Sequence, residues 1–398
     1  MNKDKKKLFA EIKNNEIKYG IFESSNDSDY NLIHTLKSKN DGIKYGHISD
    51  LNVASKIIGE DLNKIEKKLH NIFDKINLII NQREMFSTSI SSFKNLNGAK
   101  VEKRDLEYIL NEGKILISNN NDRNNILHIL NSSYYLDKKK KEKIPLNIFA
   151  DHLGLSMTFI SLPNNNIKNL KNLFENNDLK VDRILCRPVT TCVKLINHNN
   201  SLKNFFLINI DDELSTISFY NNFSLIFFKT FPFGTNSIYK DLKQLCSISE
   251  DETKSILDEY DFDTKKETKI KYIDKKFFKE TQFTKISFSH FREIIEARVN
   301  EMLNYIYIKN PNLSYFKESQ SHILLVFENK IFQKNLGNVF EKLIKSHSEK
   351  VILKSVILED ISMLGAAELT YKGWHAEALP YIQEKKSIFA NVFSRIFQ

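Results

Sequence analysis

Apolar residues recur along this chain in two registers, and the switching between them outlines an α/β protein. Residues 9–22 place β-prone side chains on both sides of the polar turn Lys13-Asn14-Asn15, which predicts an N-terminal hairpin. Over 51–69, Ile57, Ile58, Leu62, Ile65 and Leu69 fall at helical spacing among Lys and Glu, so this stretch predicts an amphipathic helix. A second helix over 101–116 buries Leu106, Ile109 and Leu110, and 126–130 after it is strand-like, which makes a small α+β insertion. A helix over 166–174 leads into 182–185, and Phe205-Phe206-Leu207-Ile208-Asn209-Ile210 is an apolar run suited to a buried strand. Its turn falls at Asp211-Asp212-Glu213. Strands over 215–219 and 224–230 and helices over 236–246 and 291–305 follow. A buried strand over 322–327, a helix over 335–344, a strand over 351–358 and a helix over 363–371 complete two α/β halves. In the last helix Gly365, Ala366 and Ala367 permit close packing, and no solenoid-type repeat is present.

Composition narrows the class. At 398 residues, 41% hydrophobic and 27% charged, the chain suits a folded soluble protein of two to four units. The net charge of +9 is spread among Asn and Glu without an aromatic-studded groove, which argues against nucleic acid. The one dense run, Lys138-Lys139-Lys140-Lys141, reads as a solvated loop. Cys186, Cys192 and Cys246 are odd in number with no CxxC spacing, so neither a disulfide framework nor a zinc site is supported, and a reducing cytosol fits. The first residues lack the apolar core of a secretory signal, and no stretch approaches the roughly 20 apolar residues of a spanning helix. Any bilayer contact is therefore expected to be peripheral. His47, His128, His290 and His322 lack metal-ligand spacing, and consecutive acids at 211–213 point to different sides of a turn, so no metal site is expected. No nucleophile setting occurs, and no catalytic residue is assigned.

The C-terminal segment 384–398 is amphipathic. At about 100° per residue, Ile388, Phe389, Val392, Phe393, Ile396 and Phe397 share one half of a helix, with Lys385 and Lys386 before them and Arg395 opposite. Periodicity alone allows either an interfacial membrane helix or a helix docked on the body.

Four local strings stand out: Gly42-Ile43-Lys44-Tyr45-Gly46-His47-Ile48-Ser49-Asp50; Val101-Glu102-Lys103-Arg104-Asp105-Leu106 with Ile126-Leu127-His128-Ile129-Leu130; Pro232-Phe233-Gly234-Thr235-Asn236-Ser237-Ile238; and Ile295-Glu296-Ala297-Arg298. In this order they resemble FtsA, the bacterial actin-like cell-division family. The resemblance implies an actin-like two-lobed ATPase fold with an FtsA-type α+β insertion subdomain. Its parts would be lobe 1 at 1–80 and 163–200, the insertion at 81–162, lobe 2 at 201–360, a closing helix and linker at 361–383, and a membrane-targeting helix at 384–398. The insertion and the GIKYG string weigh for FtsA over the other actin-like proteins.

The family's phosphate-binding glycines are missing. Where it shows D-I-G-[ST]-[ST], this chain has Glu11-Ile12-Lys13-Asn14-Asn15; where it shows D-I-G-G-x-T-T-D, Asn209 to Thr216 carry none of the glycines; and Phe327-Glu328-Asn329-Lys330 replaces a glycine-rich third loop. By family position a degraded nucleotide site would involve Glu11, Asn14, Asn15, Asn209, Asp211, Asp212, Ser215, Thr216, Gly234, Arg298, Glu328 and Asn329. Backbone N–H groups approach phosphate closely only where no Cβ intervenes, so the expectation is a pseudo-ATPase that requires no cofactor, ATP and Mg²⁺ being implied only by the family. The expected function is an adaptor that tethers the FtsZ ring to the cytoplasmic face of the cell membrane at the division site, as a peripheral protein, and self-associates into filaments. FtsZ would meet residues 236–309, filament contacts would involve the insertion, and lipid would meet Lys385, Lys386, Ile388, Phe389, Val392, Phe393, Arg395, Ile396 and Phe397. The alternatives are an actin-fold ATPase with unusual phosphate loops, or an actin-like pilus or secretion assembly protein.

Overall fold

The apolar runs become the central strands of two sheets built to one plan. The structure is a computed structural model that describes residues 6–26, 29–120, 123–141, 143–198, 203–262, 270–282, 285–316, 322–328, 330–347, 352–356, 360–374 and 376–378. In chain order the elements are β1 (Lys6–Lys13), β2 (Glu16–Asn26), β3 (Asp29–Lys39), β4 (Ile43–Lys44), β5 (His47–Ile48), α1 (Leu51–Leu69), β6 (Lys75–Ile80), β7 (Phe86–Asn95) and α2 (Lys103–Asn120). Next come β8 (Asn124–Leu136), β9 (Lys139–Lys141), β10 (His152–Pro163), α3 (Asn164–Glu175), β11 (Lys180–Cys186) and α4 (Arg187–His198). Then follow β12 (Phe205–Ile210), β13 (Ser215–Asn221), β14 (Ser224–Phe231), α5 (Thr235–Cys246), α6 (Glu250–Glu259), α7 (Phe288–Leu303), β15 (His322–Phe327), α8 (Lys330–His347), β16 (Ile352–Val356) and α9 (Ile361–Tyr371).

One sheet has the order β11-β6-β1-β2-β3 and the other β16-β15-β12-β13-β14, so each places its first strand at the centre. In both, the central strand is paired in parallel with the next strand outward and that one in parallel with the edge: β1 with β6 and β6 with β11, β12 with β15 and β15 with β16. Strands covered on both faces read as continuous apolar runs, which is why β6, β12 and β15 are buried along nearly their whole length. The first compact unit holds the described residues up to Lys203, Tyr220–Phe228 and those from Asp360 onward; the second holds Asn204–Phe219 and Lys229–Glu359. Tyr220 belongs to the first, where its hydroxyl donates to the Pro188 carbonyl (2.8 Å).

The insertion is a separate antiparallel sheet of order β7-β10-β8-β9. Side chains alternate along its strands, so Leu153, Leu155, Met157 and Phe159 of β10 form one cluster with Leu106, Ile109, Leu110 and Ile117 of α2. The lysine run is not the loop its charge suggested. Lys139–Lys141 form β9, after a turn in which Asp137 and Lys138 have left-handed backbone with φ of 47° and 67°.

Alternation and propensity left β3, β4, β5, β6, β7, β10, α4 and α6 unpredicted. Serines occupy alternate positions of β7, so half of it carries no apolar signal, and α4 opens Arg-Pro-Val-Thr-Thr, residues that favour other conformations. α4 is helical because it buries one face against α9. Gly365 makes that approach feasible, since a Cβ there would lie 1.8 Å from the Thr190 carbonyl oxygen.

The stretch 373–383, expected as a linker, is packed as far as Ala378. Asn131 N–H donates to the Ala376 carbonyl (2.7 Å) and Ala378 N–H to the Ile129 carbonyl (2.8 Å), so the chain adds to the edge of β8, whose backbone groups would otherwise lack partners. Residues Lys385 to Phe397 of the expected membrane helix lie outside the described residues. Among the described residues no helix is long and apolar enough to cross a membrane.

Replacing Gly365 by Val is expected to lower unfolding free energy by about 3 kcal/mol through overpacking of α4 against α9. Urea denaturation checks this, and a midpoint equal to that of the parent protein would contradict the packing described.

Candidate functional site

The first unit presents Glu11 on β1. Only 3% of Glu11 is exposed, so its charge must be answered inside the protein. Oε1 accepts from Arg187 Nε (3.0 Å) and from Ser362 Oγ (2.8 Å), while Lys13 Nζ lies 3.8 Å from Oε2. Burial pushes the Glu11 carboxyl up, but Lys13 and Arg187, with the Ser362 hydrogen bond and Lys18, outweigh it and hold the group below its ordinary value. Lys18 is itself ion-paired with Asp360. Asn15 takes the left-handed backbone of the β1–β2 turn (φ 52°), which Asn tolerates. Its N–H donates to the Ile43 carbonyl (3.1 Å), and Asn14 Oδ1 accepts from Tyr45 N–H (2.7 Å). Both asparagines are thus bound to the Gly42–Gly46 string, whose following Asp50 caps α1 by accepting from Asn52 and Val53 N–H.

The second unit gathers Asn209, Asp211, Asp212, Ser215, Thr216, Gly234 and Glu328 at the ends of β12 and β15. After Ile210 the chain turns on the Asp211 N–H to Leu214 carbonyl bond (2.9 Å), and the turn abuts the start of α5. Gly234 allows this, because a Cβ there would lie 2.1 Å from the Asp211 carbonyl oxygen. The first N–H groups of a helix are free to bind anions, but here Thr235 N–H donates to the Asp211 carbonyl (2.9 Å) and Asn236 N–H to that of Asp212 (2.9 Å). The carboxylates diverge: Asp211 accepts from Asn209 Nδ2 (3.0 Å), Asp212 from Thr235 Oγ1 (2.9 Å), and Glu213 from Asn236 Nδ2 (2.9 Å). Ser215 Oγ donates to the Phe233 carbonyl (2.8 Å), and the Thr216 and Thr230 hydroxyls are 3.2 Å apart. Glu328 N–H donates to the Ile210 carbonyl (3.3 Å); Asn329 lies outside the described residues.

Arg298 is not with this group. On α7, it forks onto Asp241 of α5 (Nη2 to Oδ1, 2.8 Å) and reaches Glu301 (2.5 Å), so it braces two helices, and the Asp241 hydrogen bonds raise its affinity for the proton further. Sequence reasoning missed Arg187, Ser362, Thr235 and Asn236. Ser362 is 351 residues from Glu11 along the chain, and no local pattern announces such a partner. A third unforeseen cluster is fully buried: Cys186 N–H donates to His128 Nε2 (3.0 Å), so Nδ1 carries the hydrogen and donates to Glu377 Oε1 (2.7 Å), which also accepts from Arg183 (2.8 Å). Burial raises the Glu377 carboxyl, and Arg183 and His128 more than reverse that. It joins the closing segment to β8 and β11.

This fold has known counterparts. A chain of a PilM–PilN type IV pilus biogenesis complex matches with a TM-score of 0.58 at 9% identity, covering 92% of this chain and 96% of that one, which defines an actin-like ATPase fold. No family model matches the sequence. Cell division protein FtsA of Buchnera aphidicola (strain APS) is 20% identical over 219 residues, 55% of this chain and 52% of the relative. FtsA of Agrobacterium fabrum (strain C58) is 23% identical over 203 residues, 50% and 45%, and FtsA of Escherichia coli K12 is 18% identical over 216 residues, 54% and 51%. The matched stretch thus spans about half the length of these relatives.

Glu11→Gln is expected to cost on the order of 3 kcal/mol at pH 7, because Arg187 and Lys13 lose their buried counter-charge. Glu11 has a depressed folded-state pKa, so its contribution is full above the unfolded carboxyl value of about 4.3 and fades as pH falls through the lower folded value. Denaturation at pH 7 and at about pH 3 should therefore show the gap between parent and variant narrowing in acid. A gap that is constant or widens would refute the ion-pair assignment.

Proposed function

We propose that this chain is a divergent FtsA-type adaptor that works by attachment and assembly, without nucleotide turnover. The observation that carries the reading is the sequence match to cell-division FtsA proteins, set on an actin-like fold. On this reading the protein binds FtsZ polymer through residues 236–309, self-associates, and holds to the cytoplasmic face of the membrane at the division site through the apolar face of 384–398.

The residues at the phosphate-loop positions do not fit Mg²⁺-triphosphate. Glu11 already has its cations, and the N–H groups opening α5 already have carbonyl acceptors. Asp211, Asp212 and Glu213 would add like charge beside a polyphosphate, at several kcal/mol for about 4 Å separation in a medium of intermediate dielectric. A pilus-type assembly protein is the second reading, favoured by the PilM match over nearly the whole chain.

Co-sedimentation with FtsZ polymer separates the two: FtsZ-dependent pelleting is expected for the adaptor, and its absence sinks that reading. Titration calorimetry with MgATP is expected to show no binding heat; a micromolar dissociation constant would overturn the nucleotide-free proposal. Phe393→Asp with Ile396→Asp should abolish most vesicle binding, whereas undiminished binding would mean that the tail is not the anchor.

A further inference from the structure

One end of the insertion subdomain gathers exposed apolar and cationic side chains that its folding does not use. The β8–β9 turn is held there by the Asp137 N–H bond to the His152 carbonyl at the start of β10 (3.0 Å). The loops before α2 and β10 are zipped together at the same end: Gly98 N–H donates to the Ala150 carbonyl (3.1 Å) and Val101 N–H to that of Ile148 (2.9 Å). At this end Lys138 and Phe93 line one hollow, Lys100 is paired with Phe149 across the zipped loops, Ile148 precedes Phe149, and Lys139 and Lys140 follow Lys138 in β9. All four lysines are exposed. So are the apolar residues, Phe149 at 72%, Phe93 at 59% and Ile148 at 46%. Phe93, Tyr135, Gly154, His152 and Lys138 line an open apolar hollow of about 310 Å³, so cation and aromatic ring share one surface.

Acidic residues do not cancel this charge. Glu102 pairs with Arg104 (2.8 Å) and Asp105 with Lys94 (2.7 Å), leaving the exposed Asp151 and Asp137, whose Oδ1 accepts from the Asp151 and His152 N–H groups (2.9 and 2.8 Å), against four exposed lysines. A scattered exposed lysine or phenylalanine is ordinary. Three large apolar side chains beside four cations at one end of a subdomain are the composition of an interfacial surface, where rings and aliphatic groups enter the headgroup boundary and lysines meet anionic lipid.

We propose that this end of the insertion is a contact site for an anionic lipid surface, formed by Phe93, Ile148 and Phe149 with Lys100 and the Lys138–Lys140 turn. It is distinct from the C-terminal segment, and a chain using both would gain from the raised local concentration that the first contact creates.

The test is sedimentation of the full chain with vesicles of phosphatidylcholine alone and with about one-third phosphatidylglycerol. Lys138→Glu, Lys139→Glu and Lys140→Glu together are expected to weaken binding to anionic vesicles by about tenfold or more, with little change on neutral ones. Phe149→Asp is expected to weaken both, and raising salt to about 0.5 M should reproduce the charge-reversal loss. The triple Lys→Arg variant should bind as the parent does, and an unchanged melting temperature shows that the reversal variant is folded. Parent-like binding of the charge-reversal variant to anionic vesicles overturns the proposal, as does an equal loss on neutral vesicles. If only Phe393→Asp with Ile396→Asp weakens binding, the tail alone attaches the protein and this site is refuted. If only the lysine variant does, the site stands and the tail reading fails.

Discussion

A carboxylate withdrawn from water is tolerated only where cations and hydrogen-bond donors replace the water, and Glu11 imposes that demand on separate parts of the chain. Arg187 at the head of α4, Lys13 on its own strand and Ser362 in α9 must all reach it. Because α4 and α9 also pack through Gly365, the charge requirement and the packing requirement fix the same arrangement. Glu377 repeats the device at the chain's closing segment, where Arg183 of β11 and His128 of β8 converge on one oxygen. Replacing a buried ion pair by apolar groups often costs little, whereas removing one partner alone costs much. Such pairs act as registration points for the elements they join.

At Glu11 in the first unit and at Asp211, Asp212 and Glu213 in the second, the carboxylates are answered from within the chain. Cations meet Glu11 in the first unit. In the second, amide and hydroxyl donors meet Asp211, Asp212 and Glu213, and their carbonyls meet the N–H groups of α5. A turn with its own acceptors in place and three carboxylates around it offers an incoming polyphosphate few free donors. The adaptor reading asks for no chemistry at these positions, only that the sheets remain rigid enough to carry binding surfaces.

The proposed lipid contact lies elsewhere. The insertion spends the apolar face of α2 on its own sheet and still exposes Phe93, Ile148 and Phe149 near a cationic turn. The segment 376–378 is tied to the edge of β8 in the same subdomain.

Continuous apolar runs were legible directly: β12, β15 and α1 begin and end where their residue patterns do, since periodicity is a local property of the chain. The absence of glycine from 11–15, 209–216 and 327–330 was legible too, because residue identity is visible without knowing its neighbours. β7 with its alternating serines and α4 with its β-branched opening were not, because tertiary burial overrode weak or contrary propensity. The sequence by itself determined the α/β order, the absence of glycine from 11–15, 209–216 and 327–330, and the lysine run at 138–141. Only the tertiary structure decided that Arg187 and Ser362 answer Glu11, that Arg298 serves Asp241, and that Lys138 turns beside the exposed Phe93. Each of those depends on residues far apart in the chain, and the partner of a buried charge is chosen by packing, which no local pattern records.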